Sequence, residues 1–285
     1  MSHDAFEPLH QHLKSSNTAE SMPSYVRHAW SRRHFAYAMP AETFRSRHQN
    51  TVLGNAWNLL NPLLTAAVYF LIFGVILSAS RGINNYFLWL VVGLFGFRLT
   101  QATVTQGATS VTGRQGLVRS LKFPRVLLPI ASTLGELLTF VFELVILLMI
   151  VVITGEGISW KLVALPAVVV LHTTFNFGCA VIAARLNDSF RDVQQLLPFL
   201  FQILRYLSGV MVPIALFADR GPRLIYEVLS WNPLVKILEL YRWVFMGDEA
   251  SVTLFDLAHA LFFSMVLVVV GLKFFVGAEH RYGRP

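Results

Sequence analysis

The chain is short of charge and almost without cysteine. Asp, Glu, Lys and Arg make up 14% of its 285 residues, against about a quarter in a soluble domain. Hydrophobic residues reach 55% and the mean hydropathy is +0.56. That combination excludes disorder and argues against a soluble enzyme; the solvent such a chain suits is a bilayer. The single cysteine, Cys179, excludes a disulfide framework and a zinc–thiolate site. No Gly-x-x-x-x-Gly-Lys-Ser/Thr loop occurs, so the chain has no phosphate cradle of its own. No His-Glu-x-x-His pair and no Gly-x-Ser-x-Gly elbow occurs either. We expect no catalytic residue, no bound cofactor and no metal centre.

What is present is a series of long apolar runs. They cover residues 56–78, 86–106, 126–154, 162–184, 196–217 and 254–276, each long enough to cross a membrane. The third is long enough to be tilted or broken. Residues 1–23 are polar, carry His10 and His12, and read as a solvated cytoplasmic tail. Over residues 24–39 Tyr25, Val26, Ala29, Trp30 and Tyr37 recur at helical spacing opposite Arg27, His28, Ser31 and Arg32. That pattern predicts an amphipathic helix in the membrane interface, or one packed on a partner. Residues 218–248 hold two short helical patterns around Trp231-Asn232-Pro233. They predict a re-entrant pair or helices lying flat on the surface. The expected fold is therefore all-α and integral to the membrane. It has six transmembrane helices at 56–277, an interface helix, a re-entrant pair between spans five and six, and a short cytoplasmic end at 278–285.

The pI near 9.8 at first suggests nucleic acid. The placement of the bases explains it otherwise. With the N-terminus inside, fourteen Lys and Arg fall on internal segments and six on external ones. The bias predicts an inner-membrane protein with both termini cytoplasmic, in contact with anionic lipid and not with nucleic acid.

Charges within the spans are costly and so informative. Arg98 lies in span two, Arg205 in span five, and Glu136 and Glu143 sit seven apart on one face of span three. They make either a polar pathway, with Arg to hold a phosphate, or interhelical ion pairs that fix register. Gln101 belongs to an unusually polar lower half of span two. Aromatics are abundant; Phe70, Phe73, Phe199 and Tyr206 either line a conduit, stacking on sugar rings, or serve as packing and interfacial belt. Residues 113–124, GRQGLVRSLKFP, form a short basic element whose Leu117, Val118, Leu121 and Phe123 are apolar. It either docks on a cytoplasmic partner or rests on the inner leaflet.

These pieces resemble a family. Trp57-Asn58-Leu59-Leu60-Asn61-Pro62 followed by Val68-Tyr69 and Phe73-Gly74 resembles the first span of ABC type 2 permeases, which export O-antigen, capsule, teichoic acid and cell-wall galactan. Residues 117–129 (LVRSLKFPRVLLP) are similar to that family's loop after span two. Ser189-Phe190-Arg191-Asp192 and Ser208-Gly209-Val210-Met211-Val212-Pro213 resemble the two ends of its fifth span. Asn232-Pro233 through Tyr241-Arg242 and Gly247 resembles its outer element. Gly209 stands where the family usually has Pro, which leaves the local kink in question.

The resemblance implies a homodimer with two copies of a separate ATPase, which would bind ATP and Mg. It implies a coupling helix at Arg114, Leu117, Val118, Leu121, Lys122, Phe123 and Pro124, and an outer gate holding Asn232, Pro233, Tyr241 and Arg242. The implied cargo is a polyprenyl-diphosphate-linked glycan on a path that includes Phe70, Phe73, Arg98, Gln101, Phe199, Arg205 and Tyr206. Rival readings are an ABC permease for a drug or simple lipid, a membrane glycosyltransferase, and an ATP-independent carrier. The chain has no Asp-rich metal motif for the third and no clear internal repeat for the last.

Overall fold

The computed structural model describes residues 22–36, 57–77, 83–121, 123–157, 159–214, 223–247, 252–279 and 282. The sequence features at His10, His12, Tyr37 and Lys122 lie outside them. Among the described residues all regular structure is helical. In chain order the helices are α1 (Met22–Ser31), α2 (Trp57–Tyr69, continued by a π-helical turn at Phe70–Ile76), α3 (Tyr86–Thr112), α4 (Gln115–Ser120), α5 (Leu127–Ile153), α6 (Leu165–Ser189), α7 (Val193–Leu207), α8 (Arg223–Ser230), α9 (Pro233–Met246) and α10 (Leu254–Val276).

Helices α3, α5, α6 and α10 are long and apolar enough to cross a membrane. At 1.5 Å per residue, the 27 residues of α3 and α5 reach about 40 Å, past the hydrocarbon core of about 30 Å. Span three runs as one unbroken helix. The apolar part of α2, Leu60–Ile76, and the 15 residues of α7 are shorter. Both carry a proline, Pro62 and Pro198, which withdraws one backbone donor from the ladder. In α2 the ladder relaxes into π geometry, with Leu77 N–H donating to the Ile72 carbonyl at 2.9 Å. Helix α7 ends at Ser208 because Gly209 turns left-handed at φ 65°, a conformation that only glycine adopts without strain. The position where a proline kink was in question is thus a glycine break.

Helix α3 is the hub: 78% of its apolar window is buried, against 28% in α10. It touches α2, α5, α6, α7 and α9. It runs parallel to α6, as three contacts in rising register show: Thr100 with His172, Gly107 with Ala180, and Ala108 with Asn187. A Cβ on Gly107 would stand 2.5 Å from that of Ala180. Across the other face of α6, a Cβ on Gly178 would stand 2.8 Å from the α10 backbone at Leu267. Small residues allow this backbone approach, which matters because lipid supplies no hydrophobic drive between helices. Asn187 donates to the Ala108 carbonyl at 2.9 Å and to Thr112 Oγ1 at 3.0 Å, while its Oδ1 accepts from Gln194 N–H at 3.3 Å. It joins the C-terminal ends of α3 and α6 to the start of α7.

Helices α8 and α9 meet at Trp231–Asn232. The Asn232 side chain caps α9 by accepting from Leu234 N–H at 3.0 Å, and Pro233 supplies the first turn. Both are too short to span. Helix α9 is inserted among α3, α6 and α10, and Lys236 pairs with Asp256 at 2.7 Å to hold it to α10. On α1, Tyr25 and Ala29 are buried, as is Ala36 just beyond its end, while Trp30 is 67% exposed. The predicted apolar face therefore splits, with Trp30 largely exposed at its edge.

Candidate functional site

Helices α2 and α7 leave one apolar face each uncovered. On α2 this face includes Leu64, Val68, Leu71 and Val75; on α7 it includes Leu196, Leu200 and Ile203. Helix α7 adds a second strip. Gln195, Phe199, Gln202 and Tyr206 are all exposed, and steps of 4, 3 and 4 residues hold them within one narrow sector of a 3.6-residue turn. Two amides thus alternate with two rings. Phe199 and Tyr206, singled out from the sequence, stand open here. Phe70 turns inward, edge-on to Phe87 at 5.2 Å, and Phe73 packs beside Tyr69.

Arg205 borders this strip. It donates to Tyr69 Oη at 3.0 Å and to Gln101 Oε1 at 2.8 Å, and lies over the Phe97 ring at 5.6 Å. One guanidinium therefore links α2, α3 and α7 at the open face. The planar fork suits this role, since it can give its several donors to more than one helix while stacking on a ring. The sequence reading named Arg205 and Gln101, but placed Tyr69 only in the first-span motif and Phe97 only among the aromatics that pack or line a conduit, and linked neither to Arg205. The signal for Tyr69 was a hydroxyl inside an apolar span.

Arg98, one helical turn before Gln101, points to a different place. Its guanidinium pairs with Glu143 and approaches Glu136 at 3.8 Å. Both carboxylates are buried, at 0% and 2% exposure, and Arg98 is 28% exposed. The three residues tie α3 to α5 near the midpoint of each helix. Arg98 is thus held by acids and Arg205 by neutral groups.

Tyr241 and Arg242 are fully inside the bundle. The Tyr241 hydroxyl lies 3.4 Å from His172 Nδ1, whose Nε2 lies 2.8 Å from Thr100 Oγ1. Phe140, at the middle of α5, meets the Tyr241 ring edge-on at 5.7 Å. Arg242 bonds Glu239 at 2.6 Å and the Gly209 carbonyl at 2.7 Å, and stacks on Trp89 at 3.5 Å. It fastens the break after α7 to α9 and α3. Asn232 and Pro233 are half-buried at the start of α9. His172, an ionisable residue inside an apolar run, was legible as an exception but was not singled out; Trp89 was counted among the aromatics of packing, belt or conduit, with no link to Arg242.

Helix α4 follows α3 after one turn. Val118 is buried, and Leu117 and Phe123 pack on a second apolar cluster with Tyr25, Val126 and Tyr282. Phe123 meets Phe35 at 5.1 Å. Leu121 is 53% exposed and Arg119 lies on the surface beside it. Burial pulls the Arg114 guanidinium below its ordinary pKa. Tyr25 Oη accepts from Val126 N–H at 3.3 Å, and its pKa is raised, by burial first and by nearby Glu279 second. Glu279 also accepts from Arg125 N–H at 2.9 Å. Pro124, buried, closes the loop. Among the described residues no cluster of three His, Cys, Asp or Glu suited to a metal is found.

An all-helical bundle with spanning apolar helices, charges paired in its interior and no described metal cluster defines a multi-pass membrane protein. Residues 36–246 match the ABC-2 type transporter family, and the chain belongs to that family. It is 28% identical over 220 residues to the O-antigen export system permease protein RfbA of Myxococcus xanthus, covering 77% of this chain and 83% of that protein. It is 26% identical over 239 residues to the RfbA of Klebsiella pneumoniae, covering 83% and 88%. Polysialic acid transport protein KpsM of Escherichia coli is 25% identical over 232 residues, covering 81% and 88%.

Proposed function

We propose that this chain is the transmembrane subunit of an ATP-driven exporter that moves a lipid-linked envelope polysaccharide from the cytoplasmic to the outer face of the inner membrane. The observation that carries the glycan reading is the strip Gln195, Phe199, Gln202 and Tyr206. Aromatic faces stack on the C–H faces of sugars, and amides exchange hydrogen bonds with their hydroxyls. A path for a simple lipid would need apolar residues and little else. The names of the relatives favour the same cargo class.

In this reading two copies face each other across α2 and α7, and six spans result when α2 and α7 are counted with the four longer helices. Arg205 meets the diphosphate, whose unpaired charge would be expensive at membrane depth. The neutral partners Gln101 and Tyr69 can release it without leaving a carboxylate uncompensated. The pair α8–α9 acts as the outer gate; the depth of Tyr241 beside Phe140 supports a re-entrant position. Helix α1 lies along the inner interface. Two cytoplasmic ATPase subunits, holding ATP and Mg, engage the α4 loop through Leu121 and Arg119, while Leu117, Val118 and Phe123 transmit the movement inward.

Cells depleted of the protein are expected to accumulate lipid-linked polymer on the cytoplasmic side. Wild-type chain should clear it, and chain carrying both Phe199→Ala and Tyr206→Ala should not. Normal glycan export in depleted cells, with a drug or simple lipid retained instead, would assign the chain to the rival cargo.

A further inference from the structure

A groove of about 210 Å³ runs between α1 and the inner ends of α5, α6 and α10. It lies apart from the α2–α7 face. Ala29 forms its floor on α1, Leu127 and Leu134 one wall, and Phe177 and Leu272 the other. Leu127 and Leu134 are seven residues apart on α5, so the groove climbs about 10 Å along that helix. A helix is itself about 10 Å across, so this space is too small for a helical segment and suits an extended hydrocarbon chain. Trp30 and Arg33 stand at its mouth.

The segment that carries Trp30 and Arg33 is basic, while the one acid near the groove, Glu279, lies at its Tyr25 end and is engaged by Arg125. Residues 22–36 include Arg27, His28, Arg32, Arg33 and His34 and contain no acid. The Arg33 guanidinium lies over the Trp30 ring at 5.5 Å and donates Nη1 to the Trp30 carbonyl at 3.4 Å. The Arg33 side chain is exposed, so its remaining donors are open to an anion at the surface. An apolar slot beneath an aromatic ring and a cation matches the two ends of a phospholipid.

We propose that this groove binds one acyl chain of an anionic membrane phospholipid, with its phosphate on Arg33. The site rests on the interface position given above for α1, and is independent of the cargo. Bound there, the lipid joins α1 to α5, α6 and α10, and so steadies Phe35 against Phe123 in the α4 loop.

The test uses the full chain in nanodiscs of phosphatidylcholine containing brominated phosphatidylglycerol or, at equal mole fraction, brominated phosphatidylcholine. Trp30 emission is the difference between wild type and Trp30→Phe. The expected result is about fivefold tighter quenching by the phosphatidylglycerol, the factor that one basic side chain gives at an anionic surface. Arg33→Gln should abolish the preference and Arg33→Lys should restore most of it. Ala29→Leu should fill the floor and weaken quenching by both lipids; if that variant does not fold, the exposed Arg33 substitutions decide alone. Equal quenching by the two lipids in the wild type, or a preference that survives Arg33→Gln, overturns the site. Quenching that arises only when residues 1–21 are removed also overturns it, by making that segment the occupant. Loss of the α1 interface position itself would show differently, as Trp30 emission insensitive to both brominated lipids and quenched by aqueous iodide.

Discussion

Replacing Arg98 by methionine should be far more harmful than replacing either of its acidic partners. With Glu136 and Glu143 buried around it, the three groups carry a formal charge of −1. Glu143→Gln brings the cluster to neutrality and leaves Arg98 beside Glu136. Its cost is a weakened charge-assisted hydrogen bond, about 2 kcal/mol, offset in part by relief of carboxylate repulsion. Arg98→Met removes the cation that two buried carboxylates share. Breaking a buried pair in that sense costs about 3–5 kcal/mol, somewhat softened by the partial exposure of Arg98. In a chain of this size that corresponds to a fall in Tm on the order of 10 °C. A triple variant, Arg98→Met with Glu136→Leu and Glu143→Leu, should recover most of the loss, because an apolar replacement of a buried charged group is often neutral or better. The assay is thermal unfolding in nanodiscs, followed by intrinsic fluorescence at one fixed scan rate, since such unfolding is usually irreversible. If Arg98→Met and Glu143→Gln lose the same stability, or the triple variant is no better than Arg98→Met, the charge-compensation reasoning is wrong.

Three further outcomes can be measured. Arg205→Ala should lower glycan export at least about tenfold, the effect of one lost charge-assisted contact, with the amount of folded protein in the membrane unchanged; quantitative immunoblotting beside an export assay separates the two. Leu121→Asp should reduce co-purification of the ATPase and leave the thermal unfolding temperature in place, because Leu121 is 53% exposed. Val118→Asp should instead destabilise the chain, and equal binding by wild type and Leu121→Asp would remove that residue from the coupling surface. Gly107→Leu should cost roughly 1–3 kcal/mol through overpacking against Ala180, read as lost monodispersity on size exclusion. Gly116→Ala, where an added Cβ meets nothing within 4 Å, should stabilise α4 by up to about 1 kcal/mol.

Long apolar runs made α3, α5, α6 and α10 legible, because hydropathy over about 20 residues reports on the solvent and not on the partner. The outer spans were harder to read. Pro62 and Pro198 shorten regular geometry, and Gly209 stops α7 ten residues before the end of the apolar run at residue 217. The charges inside the spans were identified, but their sorting was not. Arg98 and Arg205 look alike in sequence; whether each meets Glu143 or Gln101 depends on which face of α3 and α7 it occupies. Tyr241 and Arg242 were read as part of an outer element. They are enclosed because Trp89 and His172, about 150 and 70 residues away in the chain, form their pockets. In the α4 loop, a twelve-residue segment offers too little periodicity to separate Leu117, Val118 and Phe123, which turn in, from Leu121, which turns out.

The packed hub and the open strip lie on different helices. Substitutions along α3 meet backbone or side chains of five neighbours, so drift there is quickly selected against. Gln195, Phe199, Gln202 and Tyr206 are exposed among the described residues, and exposed changes usually cost within about 0.5 kcal/mol. Specificity in this architecture can therefore evolve almost independently of foldability. Chimaeras that exchange only the exposed positions of α7 between exporters should be the shortest engineering route from one glycan to another.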